Sequence, residues 1–133
     1  MNTRLLMVGS SIFLATLGIG CMFAPLELLS ALGAPATGDL HVLVQLAGSL
    51  YLAFAITNWT AKGSMIGGIY ARPLSLGNIV HFSSGALALL KHTFAHGVQP
   101  MLVSVMVGYI VFALCFGYLV FGLGAACVPR ASE

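Results

Sequence analysis

The sequence predicts an all-α fold, a four-helix transmembrane bundle, and three observations carry that prediction. Only 6% of the 133 residues are charged, where a soluble globular domain carries about 25%. Hydrophobic residues make up 59% and the mean hydropathy is +1.04, which leaves too little polar surface to cover a core in water. The apolar residues fall into four long runs, with nearly all charges in the short stretches between them. A run of about 20 apolar residues is what one helix needs to cross a bilayer.

The first span covers about residues 5–24. Gly20-Cys21 imitates a lipoprotein cleavage site, but Gly18 stands where such a site wants Leu or Val. The run is also longer than the apolar part of a signal peptide, so a retained helix is expected. Pro25 then opens a short helix with Glu27 in its first turn, closed by Gly33 and Pro35. Its leucines are expected on one face, resting in the membrane interface.

The second span covers about 40–61, with Asp39 as N-cap. Lys62, Gly63, Gly67 and Gly68 predict a loop as far as Arg72-Pro73. The third span covers about 74–94, with Lys91 near its outer end, and Gly97 and Pro100 punctuate the next turn. The fourth covers about 101–126, long enough to span with tilt, and Pro129 stops it. The whole of 1–133 reads as one transmembrane domain.

Charge sets the expected orientation. Arg4, Lys62, Arg72 and Arg130 fall on one side and Lys91 alone on the other, so the positive-inside rule puts both termini in the cytoplasm. Trp59 and Tyr70 lie beside the inner charges, at the level of an aromatic belt. So few charges form no nucleic-acid footprint. Cys21, Cys115 and Cys127 form no CxxC pair or metal spacing, so thiol exchange and structural zinc are not expected.

The order of features resembles the DoxX-like group of small bacterial four-helix membrane proteins. Phe23-Ala24-Pro25, Leu28-Leu29 and Leu32-Gly33 carry the resemblance after the first span. Gln45-Leu46-Ala47-Gly48, Tyr51-Leu52-Ala53 and Asn58-Trp59 carry it in the second. It implies a bacterial inner-membrane location and a fold of this kind. Some members of the group resemble accessory subunits of redox systems, but the paired cysteines that would support a thiol role are missing here.

Polar residues inside spans are the best pointers to function, because leaving them in lipid is costly. Asn78, His81, Gly85, Ala88 and His92 share one face of the third span. Asn58, Asn78, His81 and Tyr118 lie at similar depth and are the candidate polar pocket for a lipid or quinone. The competing reading is that these groups hydrogen-bond across helices and hold the fold. His81 lies about 10 Å from the start of its span, so it is expected to be neutral and hydrogen-bonded. On the outer side Asp39, His41, His92 and His96 offer metal-ligand chemistry, but no fixed ligand set, and solvated histidines are the expected state. No cofactor is assigned.

Ser49, Ala53, Thr57 and Ala61 recur every fourth position, a strip on which another helix can approach closely. No nucleophile–base arrangement or nucleotide loop is present, and no carboxylate lies near the midplane to drive proton-coupled export. The leading expectation is therefore a non-catalytic accessory or scaffold subunit in the lipid bilayer, packing against a membrane partner or against itself. A binder or enzyme for a lipid-soluble ligand is the alternative, and an oligomeric small-solute transporter a further one.

Overall fold

The computed structural model describes residues 2–34, 38–63 and 71–122. These residues contain helices and turns and no strand. The elements are α1 (Thr3–Phe23), α2 (Pro25–Ala31), α3 (Leu40–Ala61), α4 (Ala71–His96) and α5 (Pro100–Gly117), with a π turn over Tyr118–Gly122. Four of the helices are long and apolar enough to cross a membrane, which makes the chain a small integral membrane protein. The loop residues Gly67, Gly68 and Tyr70, together with Pro35, Cys127, Pro129, Arg130 and the end of the fourth span at 126, lie outside the described residues.

The contacts divide the chain into two compact units, Met1–Gly63 and Ser64–Glu133. In the first, α1 and α3 form an antiparallel hairpin. Ser11 Oγ donates to the Ala55 carbonyl at 2.7 Å, Asn58 Nδ2 to Ser10 Oγ at 3.0 Å, and Gln45 Nε2 to the Met22 carbonyl at 3.3 Å. The helices come closest at Gly18 and Gly48. A Cβ on Gly48 would lie 2.9 Å from Cys21 Cβ and 3.0 Å from the Gly18 carbonyl oxygen, so backbone meets backbone there. In the second unit α4 and α5 pair around the turn at 97–99.

Local chemistry sets the helix ends. Ala24 precedes Pro25 and leaves the helical region (φ −130°, ψ 49°), which separates α1 from α2. Gly33 (φ 69°) and Gly97 (φ 89°) end α2 and α4 in the left-handed conformation that a side chain disfavours. Pro100 starts α5 at its first turn, where no backbone N–H is needed.

Two expectations change. Arg72-Pro73 belongs to the first turn of α4 and not to a loop, because a first-turn proline loses no helical hydrogen bond. Asp39 occupies the N-cap position of α3 without a side-chain capping bond; its carbonyl accepts from Val42 and Leu43. Asn2 is the residue whose side chain does cap, accepting the Arg4 N–H at 3.2 Å. The short helix after the first span is present as α2; Leu26 and Leu29 lie one turn apart on it, Leu29 buried and Leu26 half exposed. With α2 packed against both α1 and α3, its short length leaves one turn to face the hairpin.

Candidate functional site

The second unit builds its most distinctive polar contact between α4 and α5. Tyr109 Oη and His81 Nε2 are 3.3 Å apart, with the imidazole tautomer deciding which of them donates. The sequence brings them together through Gly85. A Cβ on Gly85 would overlap the Tyr109 ring, so the absent side chain lets the ring lie on α4 and points its hydroxyl one turn back toward His81. Phe82 packs edge-on to Tyr109, with ring centroids 5.4 Å apart, and stacks on Phe112 and Phe116 at 5.1 and 5.8 Å. His81 is thus a half-buried imidazole at the edge of an aromatic cluster.

The other candidates fall as follows. Asn78 is fully buried on α4 and donates from Nδ2 to the Leu74 carbonyl at 3.0 Å. Asn58 is fully buried in the first unit and donates to Ser10, whose hydroxyl in turn donates to the Met7 carbonyl at 3.1 Å. Tyr118 is 60% exposed at the start of the π turn, and Tyr109 is the tyrosine that contacts His81. Sequence depth placed Tyr118 in the candidate pocket and made Asn78, one turn away, the natural neighbour of His81; the signal available for Tyr109 was its position opposite Gly85 about the 97–99 turn.

Asp39 and His41 belong to the first unit, where His41 Nδ1 lies 3.1 Å from the Gly38 carbonyl. His92 and His96 are exposed on the last turns of α4 and stack with centroids 4.5 Å apart. His96 Nδ1 is 3.3 Å from the His92 carbonyl. Among the described residues no group of three or more His, Cys, Asp or Glu side chains is placed to hold a metal ion.

Chemically, the described polar groups are engaged. Among the described residues no buried side-chain nitrogen or oxygen lacks a hydrogen-bond partner. Ser49 and Thr57 hydroxyls donate back to the Leu46 and Ala53 carbonyls of their own helix, each at 2.7 Å. With Ala53, they form an exposed strip on α3 turned away from the Gly48 and Ala55 face that meets α1. No family model matches the chain, and no curated protein or solved structure matches it either.

Proposed function

We propose that the protein is a non-catalytic accessory or scaffold subunit of a membrane, docking through α3 against a partner helix or a second copy of itself. The observation that carries this reading is the exposed Ser49–Ala53–Thr57 strip. Its residues are small, and both its hydroxyls are satisfied within the helix. Such a face lets a second backbone approach without orphaning any polar group. We take the positions of Arg4, Lys62 and Arg72 against Lys91 to mean cytoplasmic termini, and the resemblance to DoxX-like proteins to mean a bacterial inner membrane. That resemblance rests on the sequence features alone.

Purification from native membranes in mild detergent tests the reading. A complex or homo-oligomer is expected, and Ala53→Phe should dissolve it while leaving the hairpin folded. A wild-type monomer without partner rejects it. If that monomer carries a stoichiometric quinone or lipid lost in His81→Gln, the second reading takes its place. That reading is a site for a lipid-soluble ligand, supported by the His81–Tyr109 pair, since an ionisable group within a span is a natural candidate for function.

A further inference from the structure

A groove of about 330 Å³ runs between α1 and α3 in the first unit. Ala15 and Ala55 leave its space, and the exposed Ile12, Ile56 and Trp59 rim it beside Leu52. The Ser11 hydroxyl in its lining is already donated to the Ala55 carbonyl. An occupant is therefore offered hydrocarbon contacts and asked for no hydrogen bond along the groove.

The end of the groove is different. The contacts Ser10–Asn58, Gly18–Gly48 and Met22–Gln45 fix a register that sets Arg4 opposite Lys62. Both cations thus stand at the end where Trp59 closes the groove, and Lys62 Nζ is held 3.1 Å from the centre of the Trp59 ring. Among the described residues both acids, Glu27 and Asp39, lie toward the opposite end of this unit. An ammonium over an indole face keeps its charge and part of its donor capacity directed outward. Tryptophan itself favours the headgroup level of a bilayer.

We infer that this groove binds an acyl chain of an anionic phospholipid, whose phosphate is held between Arg4 and Lys62. The apolar lining selects a chain, the two cations select a negative headgroup, and the shared end joins them in one molecule. Phosphatidylcholine would fill the groove equally well but brings a compensating positive charge to the cations. The groove borders the docking strip at Leu52 and Ile56, one turn from Ser49 and Ala53, while its charged end at Arg4 and Lys62 lies beyond the strip.

Trp59 is the single tryptophan of the chain, so its fluorescence reports on the groove directly. The full chain is reconstituted in vesicles containing phosphatidylglycerol or phosphatidylcholine with the same brominated acyl chains, and quenching is measured against lipid fraction. A preference of about fivefold or more for phosphatidylglycerol is expected, the increment of one basic residue at an anionic surface. The double variant Arg4→Ala/Lys62→Ala should lose that preference. Ala15→Leu should lower quenching by both lipids. Equal quenching of the wild type by the two lipids, or a preference that survives the double variant, overturns the proposal. Unchanged quenching in Ala15→Leu removes the groove from it. The two charge changes lie at helix ends and decide the question even if Ala15→Leu does not fold. None of these outcomes bears on the docking strip, whose readout is assembly.

Discussion

His81 and Tyr109 show how a single missing side chain can set a polar contact inside an apolar span. Gly85 makes room, the Tyr109 ring fills it, and the hydroxyl meets the imidazole at 3.3 Å. If the pair is structural, His81→Leu should destabilise the protein by about 1–2 kcal/mol, because it removes the interhelical contact between the imidazole and the tyrosine hydroxyl. His81→Gln should recover most of that loss, since an amide also donates and accepts. Thermal unfolding in detergent checks both variants. Equal losses would show that imidazole shape and ring packing matter more than the hydrogen bond. Gly85→Val should cost about 1–3 kcal/mol by forcing the Tyr109 ring out of place, with Gly85→Ala intermediate. A neutral Gly85→Val would mean that the ring has another seat. His81 itself was legible as a buried polar residue expecting a partner. Its contact with Tyr109 was not, because the expected neighbour, Asn78, came from the same helix and depth in the membrane was compared without the hairpin register. Tyr118 lies nine residues beyond Tyr109, about 13 Å further along a helix.

The limits of α3, residues 40–61, follow from its composition and flanks, since a mostly apolar run without Asp, Glu, Lys or Arg between Asp39 and Lys62 leaves little choice. The start of α4 was harder to read, because a proline is equally at home after a loop and in a first helical turn. Faces were harder still. In a helix that is apolar all round, the usual contrast between a buried and a wet side is absent. The regular strip Ser49–Ala53–Thr57–Ala61 is the most visible pattern in α3, yet α1 packs on Gly48 and Ala55. Close approach at Gly18 and Gly48 decides that choice, because it lets two backbones touch. Gly48→Leu should therefore weaken the α1–α3 hairpin by about 1–3 kcal/mol, since the atoms it meets include backbone that cannot swing away. The same change at Ser49, on the exposed side, should leave hairpin stability nearly unaltered. Cross-linking between cysteines placed at Ser11 and Ala55 reads the hairpin directly. Persistence of that cross-link in Gly48→Leu with unchanged thermal stability would reject the crossing point.

At the scale of the whole molecule, composition decides most. With 6% charged residues, folding in water is excluded before any motif is considered, and the lengths of the four apolar runs supply the number of spans. Orientation is a separate question, because helix length and hydropathy are the same read in either direction. It rests on where five basic residues fall, and a bias in short loops acts during insertion, not through any contact in the folded chain. Within the first hairpin Arg4 and Gly63 lie at one end and Gly33 at the other, and a single span, α4, separates Gly63 from Val98 along the chain. A single cysteine placed at Gly63 in a cysteine-free background should therefore react with a membrane-impermeant maleimide only after cells are opened. One placed at Val98, which is 75% exposed, should react in intact cells. Reaction at Gly63 from outside, with protection at Val98, would invert the orientation while keeping four spans. Reaction at both from outside would be incompatible with a membrane helix between them. Moving charge gives the complementary test. Replacing Arg4, Lys62 and Arg72 with Gln while adding lysines beside Lys91 should populate the inverted form, as the basic-residue bias is then reversed. An orientation that does not respond would have to be fixed by something other than the loop charges.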